Sequence, residues 1–98
     1  MKTPAELIAR MEELLAALQT NHREARAAAA EEAIHACHEL CGLARKNTAM
    51  VAEYCGYYEL HVTRLARASR GVDGNHIDLL GAMTEIQKLR GFAGFDLL

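Results

Sequence analysis

The sequence predicts an all-α protein, an antiparallel four-helix bundle with a docked apolar C-terminal tail. Alanine (18 residues) and leucine (13) dominate the composition, whereas valine, isoleucine and threonine, which strands favour, together number only 12. Apolar side chains recur at three- and four-residue spacing along most of the chain, which is the period of a helix face. Since the chain has 98 residues and one proline, we expect a single helical domain over residues 1–98.

The first helix is predicted over residues 4–19. Thr3 is a suitable N-cap, Pro4 suits the first helical position, and Glu6 completes a capping-box pattern. Its apolar stripe comprises Leu7, Met11, Leu14 and Leu18. Asn21 followed by Glu24 resembles a second helix start, so we expect a turn there. A single helix over residues 4–46 is the alternative, because no glycine or proline enforces a break.

The second helix is predicted over residues 22–46 with a core face of small side chains. This face comprises Ala30, Ile34, Cys37, Cys41 and Ala44. Small residues allow a neighbouring helix to approach closely. Gly42 weakens the helix by about 1 kcal/mol relative to alanine.

The third helix is predicted over residues 49–69 and has the most regular repeat in the chain. Its core stripe comprises Val51, Cys55, Tyr58, Val62, Leu65 and Ser69. A second flank beside this stripe carries Met50, Tyr54, Tyr57 and His61. The two together span about half of the helix circumference, more than one helix contact requires. We therefore expect this helix to contact two neighbours.

The fourth helix is predicted over residues 76–90, with Asn75 as its cap and Gly91 as its end. Apolar residues cover more than half of its surface, which is typical of a helix buried in a core or by another subunit. The tail that follows carries Phe92, Phe95, Leu97 and Leu98. It is too apolar for a solvated end, so we expect it to dock on its own or a sister subunit.

Composition and motifs argue against most catalytic and nucleic-acid functions. The net charge is −2, and the row formed by Arg64, Arg67 and Arg70 is explained by the negative end of a helix dipole. There is no glycine-rich phosphate loop, and Ser69 is the only serine. We expect no enzyme, no cofactor and no membrane span. Since residues 1–6 lack the apolar segment of a signal peptide, we expect a cytoplasmic protein.

The apolar surplus of the third and fourth helices favours a small interaction or regulatory module that docks on another protein. We expect the chain to form a homodimer or a larger assembly with itself. We also expect a further protein partner, of unknown identity. Aromatic and methionine side chains are enriched at interfaces. The expected interface residues are Met50, Tyr54, Tyr57, His61, Phe92 and Phe95, and the outward-facing Leu60 is a further candidate.

The alternative function is a metal- or cofactor-binding bundle built on the three cysteines. Thiolate and imidazole are zinc ligands, and Cys37, Cys41 and Cys55 can converge if the second and third helices form a hairpin. The fourth ligand would be His38 or His61, both at the boundary of the core face. Because no C-x-x-C motif is present, we favour core thiols in a reducing compartment.

Overall fold

The computed structural model describes residues 2–44, 48–69 and 76–93, and within these ranges the protein is all-α. The four helices are α1 (Pro4–Ala17), α2 (Arg23–Leu43), α3 (Thr48–Arg67) and α4 (His76–Ala93). Residues 18–22 between α1 and α2 are not helical, which confirms the predicted turn and excludes one continuous helix. The predicted docking of the tail, with Phe95, lies outside the described residues.

The two helix starts that the sequence predicts have different outcomes. Thr3 caps α1 as predicted, its Oγ1 accepting a hydrogen bond from the Glu6 amide at 3.2 Å, and Pro4 occupies the first turn. The predicted Asn21 cap of α2 is wrong. The N-cap is His22, whose backbone is still extended (φ −79°, ψ 110°) and whose side chain makes no capping hydrogen bond. The first turn of α2 is therefore not capped by its own N-cap side chain.

The C-terminal ends of all four helices differ from the predictions. Helix α2 ends at Leu43, three residues early, and α3 ends at Arg67, two residues early. Helix α1 ends at Ala17, two residues early, whereas α4 continues through Gly91 to Ala93. Glycine costs only about 1 kcal/mol inside a helix. The packing of Phe92 against Tyr54 accounts for the extension, because a tertiary contact of this kind outweighs such a local cost.

One hydrophobic core contains buried residues from all four helices. Contacts run from α1 to α2, α2 to α3, α3 to α4 and back from α4 to α1. The predicted α3 stripe is confirmed at Val51, Cys55, Tyr58, Val62 and Leu65, whereas Ser69, beyond the helix, is exposed. Tyr58 is fully buried and its hydroxyl donates to the Met11 carbonyl at 3.0 Å, which ties α3 to α1.

The core face of α2 is rotated from the predicted one. Ala29, Ala33, Ala36 and Leu40 are buried with the predicted Ala30 and Cys37, and Ala44 is buried just beyond the helix. Ile34 and Cys41 are only half-buried. Alanine occurs on every side of this helix, so the apolar period alone does not determine which side is inward.

Candidate functional site

The flank of α3 that was predicted as an interface packs partly against α4 of the same chain. The rings of Tyr54 and Phe92 lie 5.6 Å apart between centroids at an interplanar angle of 36°. Lys88 Nζ lies 5.3 Å from the centroid of the Tyr54 ring, within the range of a cation–π contact. Both rings are half-buried, so these two predicted interface residues already hold α3 to α4.

His61, a third predicted interface residue, belongs to a polar cluster in the same seam. Its Nδ1 lies 2.8 Å from Asp78 Oδ1, and Arg64 Nη1 lies 3.7 Å from the same oxygen. Asp78 is buried and stands in the first turn of α4, where the helix dipole favours a carboxylate. The cluster joins α3 to the start of α4.

Gly81 makes room for the His61 ring. A Cβ atom at residue 81 would lie 2.4 Å from His61 Nε2 and 2.5 Å from Cε1. A carboxylate-oriented imidazole can act as a general base when its second nitrogen is accessible to substrate. Here Nε2 abuts the backbone of α4, so the geometry favours a packing role for His61 over a catalytic one.

Within the described ranges, large apolar side chains are exposed on two of the four helices. Among the described residues they all lie on α3 or α4: Met50, Tyr57, Leu60, Ile77, Leu80 and Met83. Ile77 is 82% exposed, and each of the others is between 42% and 49% exposed. Two of the predicted interface residues, Met50 and Tyr57, are therefore accessible, and the outward position of Leu60 is confirmed.

Two open grooves lie between other pairs of helices. The α1–α4 groove, of about 350 Å³, has Leu15, Leu79 and Ile86 among its apolar lining residues and is crossed by the Glu12–Arg90 ion pair. The α2–α3 groove, of about 470 Å³, is lined by small side chains and by His35, His38 and Arg67. Small-molecule sites usually enclose most of their ligand. Both grooves are open to solvent and do not favour such a site.

The three cysteines are free thiols, two of them buried. Cys55 Sγ donates to the Cys37 carbonyl oxygen at 3.8 Å. The hydrogen bond with Cys37 and burial raise the pKa of Cys55. The pKa of Cys41 is raised to about 12, mainly by burial and to a smaller extent by the nearby Cys55. At neutral pH these two groups are thiols, whereas a metal ligand or nucleophile is a thiolate.

The metal alternative gains no support from the geometry around these thiols. Within residues 2–44, 48–69 and 76–93, no three His, Cys, Asp or Glu side chains are grouped to hold a metal ion. Of the two histidines considered as the fourth ligand, His38 is exposed, with its Nε2 3.8 Å from Glu59 Oε2, and His61 is paired with Asp78. The described thiols are therefore best explained as core packing.

The arginine row of α3 does not form a continuous basic surface in the described part of the chain. Arg64 reaches Asp78, Arg67 is exposed beside the α2–α3 groove, and Arg70 lies outside the described residues.

Within the described ranges, no helix combines the length and apolarity that a membrane crossing requires.

Three buried charged residues were not foreseen from the sequence: Arg26, Asp78 and Glu85. Glu85 Oε1 lies 3.3 Å from Lys88 Nζ, whereas its Oε2 is enclosed without a hydrogen-bond partner. The seven-residue spacing of Asp78 and Glu85 was a usable signal, because it places both on one side of α4. Charged helix residues usually face solvent, which is why that side was not assigned to the interior.

Comparison with protein-family models, curated proteins and solved structures finds no match to this chain. The functional inference therefore depends on the arrangement of the chain's own residues.

Proposed function

We propose that this chain is a non-enzymatic helical interaction module that pairs with a second copy of itself and docks on another protein. The observation that supports this proposal is that, among the described residues, the exposed large apolar side chains all lie on α3 and α4. Exposed apolar patches of this kind mark interaction surfaces more often than isolated apolar residues do. No comparable patch occurs on the described surface of α1 and α2.

The proposed architecture is an antiparallel four-helix bundle. Its support is the short connections between the helices and the order of contacts. Along the α3–α4 seam, His61 contacts Asp78 and Tyr54 contacts Phe92, so residue numbers fall in one helix as they rise in the other. Docking of tail residues 94–98, which lie outside the described ranges, remains part of this proposal.

The interaction surface that we propose consists of Tyr57, Leu60, Ile77 and Leu80, here called the α3–α4 outer face. Tyr57 and Leu60 are three residues apart on α3, as are Ile77 and Leu80 on α4, so each pair is adjacent on its helix. In an antiparallel register with His61 opposite Asp78, Leu60 lies level with Leu79 and within one residue of Leu80. We propose that the four side chains form one apolar patch.

A second copy of the chain is the partner that we propose for this face. In a two-fold dimer the same patch meets itself, so apolar surface on both copies leaves water together. Burying a half-exposed leucine contributes about 1 kcal/mol on each copy, and the more exposed Ile77 contributes more. The net charge of −2 is too small to oppose such an association strongly.

Sedimentation equilibrium of the wild type and Leu60→Asp tests the proposal. The wild type should approach twice its 10.8 kDa mass as its concentration rises. Leu60→Asp removes an apolar contact from both copies and should weaken the dimer by about 2 kcal/mol, or roughly thirtyfold in Kd. Ala9→Asp, on the exposed side of α1, is the control and should leave the dimer intact.

Two outcomes would contradict the proposal. One is a wild-type protein that stays at 10.8 kDa at every concentration; the other is a dimer that Leu60→Asp and Ile77→Asp do not weaken. Circular dichroism of each variant ensures that loss of association is not loss of folding, since both substituted positions are exposed.

We also propose a reducing, cytoplasmic setting. The described cysteines are all free, and Cys37 of α2 and Cys55 of α3 are buried in the core. Free buried thiols persist where disulfides do not form. Mass measurement of the protein isolated under alkylating conditions should find every cysteine reduced, and a native disulfide would contradict this setting.

A further inference from the structure

Two charged residues of opposite sign flank Leu60 at equal distances along α3. Glu53 lies seven residues before Leu60 and Arg67 lies seven residues after it, and all three are exposed. Seven residues are close to two helical turns, so each charged residue lies within about 20° of the direction of Leu60 around the helix. The side of α3 that faces away from the core therefore carries a negative, an apolar and a positive side chain in a row.

Neither charge has an opposite charge beside it within the described part of the chain. No ion pair between described residues includes Glu53 or Arg67. The two residues cannot pair with each other, because fourteen helical positions separate them by about 21 Å. Water alone can solvate exposed charges, so the inference depends on the symmetrical placement of the two charges about Leu60.

We propose that two copies of the chain pair through antiparallel α3 helices, with Glu53 of each copy opposite the partner's Arg67. This inference rests on the proposed dimer and specifies how its two copies are arranged. A two-fold axis perpendicular to α3 at Leu60 reverses the helix direction, so residues equally far before and after Leu60 become level with one another. The two Leu60 side chains meet at the axis, and an equivalent ion pair forms at each end of the contact.

The position of α4 fits the same arrangement. In the register set by His61 and Asp78, Leu60 lies within one residue of Leu80. An axis at the level of Leu60 therefore also passes near Leu80, which is 49% exposed. Leu80 of each copy then lies near the partner's Leu80. The charged pairs thus lie on either side of an apolar centre, as polar groups usually do at protein interfaces.

The charges oppose the alternative in which the two α3 helices pack parallel. Parallel packing would place Glu53 level with the partner's Glu53, and Arg67 level with the partner's Arg67. Like charges brought together across an interface oppose association. Charge complementarity therefore favours the antiparallel pair.

Sedimentation equilibrium of three charge variants tests this arrangement. Glu53→Arg and Arg67→Glu each replace two attractive pairs by two repulsive ones, so each should raise the dimer Kd about tenfold. The double variant Glu53→Arg/Arg67→Glu exchanges the two charges and should return close to the wild-type Kd. Effects of residues this far apart within one chain are normally additive, so such a recovery can arise only between copies.

Glu39→Arg is the matched control for the single variants. Glu39 is exposed on α2, and its replacement changes the net charge by the same amount as Glu53→Arg. The control should leave the Kd nearly unchanged, because Glu39 lies outside the proposed contact. Circular dichroism of each variant checks that weaker association does not reflect loss of helix, since every substituted position is exposed.

The possible failures separate this inference from the proposed dimer. A wild type that stays monomeric at every concentration contradicts both. A dimer that Leu60→Asp weakens, but that Glu53→Arg and Arg67→Glu leave unchanged, keeps the proposed function and overturns the antiparallel pairing. A double variant whose loss equals the sum of the two single losses overturns the pairing as well, because the two charges would then not face each other across the interface.

Discussion

Replacing Gly81 by alanine should destabilise this protein, although the same change inside a helix usually stabilises it. Alanine has the higher helix propensity by about 1 kcal/mol. At residue 81, however, the new Cβ would lie 2.4 Å from His61 Nε2 and 2.7 Å from Cδ2. Ordinary contacts between such atoms begin at about 3.5 Å, so the imidazole must move by about 1 Å.

The imidazole cannot move freely, because its Nδ1 is held 2.8 Å from Asp78 Oδ1. Breaking that bond leaves the buried Asp78 with a weaker set of partners, at a cost of about 1–3 kcal/mol. Keeping the bond instead forces α3 and α4 apart, and overpacking of this kind also costs about 1–3 kcal/mol. After the gain of about 1 kcal/mol in helix propensity, the net loss should be up to about 2 kcal/mol.

Urea unfolding followed by circular dichroism, at one protein concentration, measures this loss. Gly56→Ala is the matched control: it lies inside α3 with open space around the new Cβ, and it should stabilise by about 0.5–1 kcal/mol. In a His61→Ala background the Gly81→Ala change should also become stabilising. A Gly81→Ala protein as stable as Gly56→Ala, or an effect unchanged by His61→Ala, would refute the reasoning.

Two further predictions concern the core. The free energy of unfolding should fall as the pH rises above about 8.5. The thiols of Cys41 and Cys55 begin to ionise there in the unfolded chain, whereas in the folded protein their raised pKa values keep them protonated to higher pH. The loss should be at most about 1.4 kcal/mol per pH unit for each group and less for the half-buried Cys41, and urea titrations should show a shallower fall in Cys55→Ala. Tyr58→Phe should cost about 1 kcal/mol at neutral pH, because the Met11 carbonyl loses its 3.0 Å hydrogen bond, and an unchanged urea midpoint would contradict this.

The parts of the fold that could be predicted are those set by local chemistry. The Thr3 cap and the five buried residues of the α3 stripe follow from residue type and spacing alone. The inward side of α2 could not be predicted, because alanine is equally compatible with core and surface. The α4 pattern was ambiguous for the opposite reason, since apolar residues occur on most of its sides.

The candidate surface was only partly predictable, because it depends on which neighbour each flank meets. Tyr54 and Phe92 have the composition of an interface, and nothing local shows that they contact each other 38 positions apart in the chain. The pairing of His61 with Asp78 and the burial of Arg26 are equally non-local. Such contacts depend on how the helices pack against one another, and this packing leaves no periodic pattern in a single sequence.

The chain contains no tryptophan, so its three tyrosines account for its near-ultraviolet emission. Tyr58 is enclosed and hydrogen-bonded, and Tyr54 is stacked near an ammonium group, whereas Tyr57 is 49% exposed. Titrating a soluble quencher therefore interrogates chiefly Tyr57. The unlabelled protein thus carries an intrinsic optical probe of whether another molecule has covered that ring.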